Sequence, residues 1–323
     1  MRRVFFIVGP TATGKSELGA DVGHELNAEI VSADAFQIYR GLDLLTAKPD
    51  GSTLAKAPHH LIGTKPLHEE MNAEKLRRLA LRAIEEINSR GKLAIVVGGS
   101  GLYIKALTHG LAPLPKSDPK LREELNAMSL DALHSQLIEL DPETAGKIDV
   151  KNRRRLVRAL EICLLTGKPA SAQREQWAIA ASLCEARPTA VMGTRRGASH
   201  SEAARGVFVF RDRKELYARI NQRVEAMFEK GVIEEMRASG ATSATASQMI
   251  GLREIRQLLE GKMSLLQCTA QIQQATRRYA KRQLTWFRRQ TSFSSLNLSL
   301  LSHNEAVKWI LLRMLWAVCT RDD

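Results

Sequence analysis

The amino-acid sequence predicts an α/β fold, in which helices cover a doubly wound parallel sheet. Short, mostly apolar runs at residues 4–8, 29–32 and 93–97 have the length and composition of buried parallel strands. Each run leads into a glycine-rich or polar turn, and helical patterns separate the runs. Strands that alternate with helices in this order are typical of such a sheet.

The helices and the later strand follow in the same order along the chain. Residues 15–26 have helical character directly after the first strand, and residues 73–89 place their apolar side chains on one helical face. A further strand is predicted over residues 207–210. Long helices are predicted over residues 213–237 and 265–289.

A change of composition divides the chain. Pro113, Pro115 and Pro119 lie close together, and we interpret this stretch as a hinge. The pattern from residue 120 to about residue 176 is helical and poor in strands, whereas residues 178–205 give no firm signal and suggest a long loop. The predicted segments are an α/β core (1–115), a mainly helical insertion (116–205), a return to the core with long basic helices (206–291) and a tail with an amphipathic helix (292–323).

The charge and cysteine content restrict the class of protein. Lys and Arg number 48 against 35 Asp and Glu, which gives a formal net charge of +13. Such a surplus suits a nucleic acid partner, although an ordinary basic enzyme would also show it. The four cysteines are scattered, so we expect neither a zinc site nor a disulfide framework. This cysteine usage suits a protein of the reducing cytoplasm. The apolar segments are too short for a signal peptide or a membrane span, so no membrane role is expected.

A phosphate-binding loop follows the first strand. Its sequence fits the pattern G-x-x-x-x-G-K-[ST] at every specified position and opens a helix, which is the required context. Glycines let backbone N–H groups converge on phosphate oxygens, and the helix N-terminus adds a partial positive charge. The lysine supplies a mobile charge, and the serine hydroxyl can bind Mg²⁺. The loop consists of Gly9, Pro10, Thr11, Ala12, Thr13, Gly14, Lys15 and Ser16.

Two further turns are predicted at the same edge of the sheet. Asp34 follows the second strand, and Ser100 follows the third within the turn Gly98-Gly99-Ser100-Gly101. Ligands bind at the carboxyl ends of the strands in open α/β sheets. A carboxylate placed there could bind Mg²⁺ or accept a proton from a nucleophile, and it could equally be a helix cap or a turn residue.

Six segments then occur in a characteristic order. They are GPTATGKS, SADAFQIYRGLDLLTAKP, APHHLI, VVGGSGLYIKAL, RDRKELYARI and TRRYAKRQLTWFRR. Together they closely resemble the tRNA dimethylallyltransferases, also called tRNA isopentenyltransferases. The resemblance covers residues 4–176 and 207–289 and does not extend to the tail. It implies a P-loop NTPase-like core with an inserted helical domain and a helical C-terminal part.

The resemblance also implies a reaction. Dimethylallyl diphosphate would donate its five-carbon group to the exocyclic amine of the adenine on the 3′ side of the anticodon, in tRNAs that read codons starting with U. In this family the P-loop holds the prenyl diphosphate, and no nucleotide is hydrolysed. The implied partners are the anticodon stem-loop of tRNA and the prenyl diphosphate, with Mg²⁺ as cofactor, and we expect a monomer.

The roles of individual residues follow from the same resemblance. Asp34 would accept the proton of the adenine amine, and Ser100 would hydrogen-bond near that amine. Lys15, Mg²⁺ held by Ser16, and Arg213 would neutralise the leaving diphosphate. The implied tRNA contacts are Asp34, Ala35, Phe36, Gln37, Ser100, Arg122, Arg154, Arg155, Leu156, Val157, Arg158, Gln248, Met249, Ile250, Gly251, Leu252, Arg253, Ala275, Thr276, Arg277, Arg278, Tyr279, Ala280, Lys281 and Arg282.

Some positions depart from the family pattern, and some have a structural alternative. Ala35, Gly63, Gln248 and Leu252 are atypical, which affects the fine discrimination of RNA more than the chemistry. The arginine run at residues 153–158 could be a solvated helix face. The stripe of Tyr279, Gln283 and Trp286 favours core packing over base stacking, while Arg278 and Arg282 share another helix face and could meet phosphate.

Three other functions use similar sequence features. A small-molecule or nucleoside kinase would use the same loop with ATP. An adenylate isopentenyltransferase would have a similar loop, but the +13 charge and the helical insertion favour a macromolecular acceptor. An RNA-binding protein with an inactive nucleotide site would not need Lys15, Ser16 and Asp34, all of which are present.

Overall fold

The computed structural model describes residues 3–111, 114–172, 206–290 and 293–319. The chain divides into two compact units, one made of Met1–Thr108 and Ala203–Asp323 and the other of His109–Glu202. The loop predicted over residues 178–205 lies outside the described residues.

Among the described residues, six strands form a single sheet in the first unit. They are β1 (Val4–Val8), β2 (Glu29–Ser32), β3 (His59–His60), β4 (Ala94–Gly98), β5 (Gly206–Phe210) and β6 (Ser294–Asn297). The sheet order is β3-β2-β4-β1-β5-β6, and every described pairing is parallel. This confirms the predicted α/β class. β1 lies between β4 and β5, with Val8 opposite Gly98, so the loops after β1 and β4 leave the sheet side by side.

The described helices of the first unit pack on both faces of this sheet and beside one another. In chain order they are α1 (Lys15–Glu25), α2 (Gly51–Lys56), α3 (Ala73–Ser89), α4 (Gly101–His109), α9 (Arg213–Glu229), α10 (Val232–Arg237), α11 (Leu252–Leu259), α12 (Leu265–Gln290) and α13 (His303–Cys319), and the helical unit holds α5 (Pro119–Ala127), α6 (Leu130–Leu140), α7 (Pro142–Lys147) and α8 (Arg153–Thr166). Alternate residues of β1 pack on opposite sides, because successive side chains of a strand point to opposite faces. Ile7 lies in the cluster with α1 and α13, and Phe6 lies in the cluster with α3 and α12.

The single helix predicted over residues 213–237 is wrong in one respect. The helix ends at Glu229, and a new one begins at Val232. Gly231 between them has φ of 93°, a left-handed conformation that glycine adopts without a steric penalty. The short strand β3 was not predicted from the sequence, since two residues give no detectable alternation.

The C-terminal tail belongs to the first unit. It contains the predicted helix, and it also adds the strand β6, which pairs with β5 from Val207–Ser294 to Phe210–Asn297. Ala306, Val307 and Ile310 of α13 are buried in the cluster beneath the sheet. Among the helices in the described residues, none is both long and apolar enough to cross a membrane.

The second unit has its own hydrophobic core. Leu133 and Leu137 of α6 pack against Leu156 and Leu160 of α8, and all four side chains are fully buried. Side chains cap the N-termini of its helices by accepting backbone N–H groups, which satisfies donors that lack a partner within the helix. These caps are Asp118, Ser129, Asp141 and Asn152.

Candidate active site

The loop after β1 has the conformation of a phosphate cradle. The N–H of Gly9 donates to the carbonyl oxygen of Gly98 (3.2 Å), and a Cβ at Gly9 would lie 2.2 Å from the carbonyl oxygen of Val209, so no larger residue fits. Gly14 has φ of 95° and precedes the first residue of α1. The free N–H groups of the first helical turn, which begins at Lys15, therefore stand at this loop.

Lys15 extends across the loop towards the end of β2. Its Nζ donates to the carbonyl oxygen of Pro10 (3.3 Å), and it lines one pocket together with Asp34. Burial lowers the pKa of Lys15 from 10.5 to about 8, although the charge of Asp34 opposes this shift. Burial disfavours the charged form of this ammonium group, so a bound anion would stabilise the charge strongly.

Asp34 both lines this pocket and shapes its own turn. Its Oδ1 accepts the N–H groups of Phe36 (2.9 Å) and Gln37 (3.3 Å), which is the turn role considered from the sequence. The amide of Gln37 is held at both ends, since Nε2 donates to the carbonyl oxygen of Ala47 (2.9 Å) and Oε1 accepts the Ser32 hydroxyl (3.3 Å). Asp34 therefore serves as a turn residue and also faces Lys15 across the pocket.

Ser100 joins the turn after β4 to the turn after β2. Its Oγ accepts the N–H of Ala35 (3.1 Å) and is hydrogen-bonded to the hydroxyl of Tyr279. Burial raises the pKa of Tyr279 to about 12, and the nearby charge of Asp34 adds to this effect. Tyr279 thus remains a protonated phenol, and the structure brings it together with Asp34 and Ser100.

Three arginines after β5 contact the P-loop. Arg211 Nε donates to the carbonyl oxygen of Thr13 (2.9 Å), and Arg219 Nε donates to that of Ala12 (3.0 Å). The predicted Arg213 is exposed and lies over the ring of Tyr217, 5.3 Å from its centroid. No role is predicted from the sequence for Arg211, Arg219 or Arg223. The signal available for Arg219 and Arg223 was their i,i+4 spacing on the predicted helix.

The charge of Arg223 interacts with the charges of Asp34 and Lys15. Its NH1 donates to Thr11 Oγ1 (2.9 Å), while its buried Nε has no hydrogen-bond partner among the described residues. Burial lowers the pKa of Arg223 from its ordinary value, and the charge of Asp34 opposes this. A buried guanidinium nitrogen left without an acceptor is costly, so this site favours an anionic ligand.

The pocket lined by Lys15 and Asp34 also contains oxygen donors of the kind that bind magnesium. Ser16, Ser32 and Asp34 all line the pocket. Hydroxyl and carboxylate oxygens are the ligands that this hard cation prefers, usually alongside substrate phosphates.

The arginines of α5 and α8 lie in two different surroundings. Glu161 is fully buried, and its carboxylate accepts hydrogen bonds from Arg122 (3.0 and 3.1 Å) and Arg158 (2.6 Å). Arg154 and Arg155 are exposed. The predicted contacts Leu156 and Val157 have their side chains in the core of this unit.

The two remaining predicted tRNA segments also mix exposed and buried residues. Residues 248–253 carry Met249 and Leu252 in the core, while Arg253 is exposed and pairs with Glu254 (2.9 Å). On α12, Arg277 donates to Asn221 Oδ1 (2.6 Å) and Thr276 and Ala280 are buried. The exposed residues of the second segment are Arg278, Lys281 and Arg282.

Known proteins of one family match most of this chain. The family described as IPP transferase matches residues 37–290, a range that begins after the P-loop. The chain is 41% identical over 285 residues to the tRNA dimethylallyltransferase of Akkermansia muciniphila, which covers 88% of this chain and 90% of the relative.

Solved structures give the same result. The full-length tRNA isopentenylpyrophosphate transferase of Bacillus halodurans superposes with a TM-score of 0.67 at 31% identity, covering 100% of both chains. A eukaryotic dimethylallyltransferase acting on tRNA superposes with a TM-score of 0.68 at 25% identity, covering 89% of this chain and 70% of that one. The resemblance deduced from the sequence is therefore confirmed, and the chain belongs to the IPP transferase family.

Proposed function

We propose that this protein transfers the dimethylallyl group of dimethylallyl diphosphate to the exocyclic amine of an adenine in tRNA and releases diphosphate. The observation that carries the proposal is the pocket shared by Lys15 of the P-loop and Asp34. An anion-binding group and a carboxylate thus face each other in a chain whose relatives are named tRNA dimethylallyltransferases.

The P-loop side of the pocket binds the diphosphate. Backbone N–H groups at the start of α1, the Lys15 ammonium group and the Arg223 guanidinium group neutralise its charge. This charge grows as the bond between the prenyl carbon and the diphosphate oxygen breaks, so these groups bind the transition state more tightly than the substrate. We propose that Arg223, rather than the exposed Arg213, neutralises the leaving diphosphate.

The Asp34 side of the pocket takes up the proton. The adenine amine is a weak nucleophile because its lone pair is delocalised into the ring. As the new carbon–nitrogen bond forms, the amine must lose a proton, and Asp34 accepts it. Ser100 and Tyr279 carry hydroxyl groups beside Asp34 and position the amine.

Magnesium is the proposed cofactor. Ser16 would hold it, with Ser32 as a further oxygen donor in the same pocket, and the ion would add positive charge to the leaving diphosphate.

The RNA-binding surface of the proposal comprises the exposed basic residues. Arg154, Arg155, Arg278, Lys281 and Arg282 are exposed and suit phosphate contacts. The target adenine must leave its stack to reach a pocket between loops, as in other enzymes that modify bases. The family resemblance supports the adenine on the 3′ side of the anticodon in tRNAs that read codons starting with U. We also propose a monomer, and the scattered cysteines favour a reducing compartment such as the cytoplasm.

The test is an incubation with labelled dimethylallyl diphosphate, unmodified tRNA and Mg²⁺ in the absence of ATP. We expect label in tRNA, and none when AMP replaces tRNA. Phosphate transfer from ATP to a small acceptor, with no prenyl transfer, would identify a kinase instead. Label in AMP would identify an adenylate isopentenyltransferase.

A further inference from the structure

One face of α12 lies directly on the loops of the candidate active site. Tyr279, Gln283 and Trp286 are spaced so that they share this face. The Tyr279 hydroxyl bonds to Ser100, and the Trp286 ring packs against Gly101, where a Cβ would lie only 2.5 Å from the ring. The stripe that the sequence predicts to pack in the core therefore also contacts the loops that form the candidate site.

Gln283 connects two of these loops through its side-chain amide. Its Oε1 accepts the N–H of Thr11 (3.0 Å), and its Nε2 donates to the carbonyl oxygen of Gly99 (2.8 Å). The side chain is only 6% exposed. An amide provides one acceptor and one donor in a fixed geometry, so it can bridge a backbone N–H and a backbone carbonyl group at once.

Thr11 is fixed from two sides. Gln283 holds its backbone N–H, and Arg223 donates to its hydroxyl. The next residue, Ala12, has φ of 64°, a left-handed conformation that costs free energy in a residue with a side chain. The surroundings must impose this conformation, and the hydrogen bond to Gln283 is one of the contacts that do so.

We infer that Gln283 is a positioning residue for the prenyl diphosphate, because it holds the first half of the P-loop against the turn after β4. This inference rests on the proposed function, in which the P-loop binds the diphosphate. Without the amide, the N–H of Thr11 and the carbonyl group of Gly99 lose their partner and the loop relaxes. Binding of the diphosphate must then restore the loop, and the affinity for the diphosphate falls.

The experiment compares Gln283→Met with Gln274→Met, which makes the same change at an exposed position of α12. Methionine keeps the length of the side chain and removes both hydrogen bonds. For Gln283→Met we expect the Michaelis constant for dimethylallyl diphosphate to rise about tenfold, or about 1.4 kcal/mol. The turnover number at saturation should stay within about threefold, and tRNA affinity should not change. Gln274→Met should match the wild type in all three.

Failure of the inference and failure of the proposed function would give different results. A lower melting temperature of Gln283→Met with an unchanged Michaelis constant would reduce Gln283 to a structural residue and overturn the inference. Absence of prenyl transfer by the wild type would instead overturn the proposed function. If Gln283→Met does not fold, Gln283→Glu preserves the size and the acceptor for Thr11. It should raise the same Michaelis constant, because it loses the donor to Gly99 and places a negative charge beside the diphosphate.

Discussion

Helices α8 and α12 both carry runs of basic residues, yet the two runs meet different surroundings. On α8, Arg158 turns inward and pairs with the buried carboxylate of Glu161, while Arg154 and Arg155 are exposed. On α12 the inward face presents uncharged polar groups, among them Gln283, to the loops of the site. A single run of basic residues, as on α8, can therefore combine arginines that stabilise the fold with arginines that are available to a partner.

Substitutions in the P-loop and in the helical unit should therefore change different measurable properties. Substitutions around the P-loop should change chemistry or diphosphate binding. Substitutions of the inward arginines of the helical unit should change stability, and those of its exposed arginines should change RNA affinity.

The largest effect is expected at Asp34. Asp34→Asn keeps the oxygen that accepts the N–H groups of Phe36 and Gln37, so the turn should persist, but the variant cannot take up the proton. Turnover should fall roughly a hundredfold to ten-thousandfold, the usual contribution of a positioned general base. Single-turnover kinetics with saturating tRNA measure this. Near-normal turnover would leave Asp34 as a turn residue only.

The next effect is expected at Lys15. Lys15→Ala should lower kcat/KM for the prenyl diphosphate roughly a hundredfold, since one preorganised charge is lost, with little change in tRNA affinity. A collapse of tRNA affinity with intact diphosphate kinetics would mean that the loop binds another ligand.

The pH dependence provides a second test of Lys15. Its pKa near 8 means that the free enzyme loses this positive charge as the pH rises through about 8. The wild-type kcat/KM for the diphosphate should therefore decline above pH 8, and Lys15→Ala should lack this decline. Measuring kcat/KM of both proteins at alkaline pH tests this prediction. An equal decline in both would mean that a group other than Lys15 causes it.

A smaller effect, on stability, is expected for the inward arginine of α8. Arg158→Met leaves Glu161 with fewer donors and should lower the free energy of unfolding by about 1–3 kcal/mol. Burial alone would raise the pKa of Glu161, but hydrogen bonds from Arg158 and Arg122 hold it below 4.5. The stability gained from the ionised carboxylate is present above pH 4.5 and is lost as the pH falls through the folded-state pKa. Urea unfolding should therefore show a difference at pH 7 that shrinks in acid, and a constant difference would contradict this.

The smallest effect is expected for the exposed arginines of α8. Arg154→Ala with Arg155→Ala should weaken tRNA binding and make the slope of log affinity against log salt shallower by about 1.4 to 1.8. Arg82→Ala, on the exposed surface of α3, is the control and should leave the slope unchanged. Binding at several salt concentrations gives the slopes, and parallel lines of equal affinity would make the α8 run a solvated face.

Local features of the fold and site could be predicted from the sequence. The P-loop is encoded in consecutive residues because its glycines and the following helix create the cradle, and Asp34 follows from its place after a buried strand. Arg219 and Arg223 could not be assigned, because their contacts depend on which face of α9 turns toward a loop distant in sequence. Arg211 lies between β5 and α9, and its contact with Thr13 depends on how β5 pairs beside β1. The same holds for Gln283, whose bridge requires α12 to cross two loops. The strand β6 has only Leu296 buried, so its composition did not distinguish it from a loop.

Locating the transferred group in the product tests the proposed function most directly. Labelled dimethylallyl diphosphate is incubated with the protein, Mg²⁺ and an unmodified tRNA that reads a codon starting with U, without ATP. The tRNA is then digested, and its nucleosides are separated. We expect one labelled nucleoside, the adenosine on the 3′ side of the anticodon, and no label when guanosine replaces it. Label elsewhere in the tRNA, or no label unless ATP is added, would overturn the proposed function.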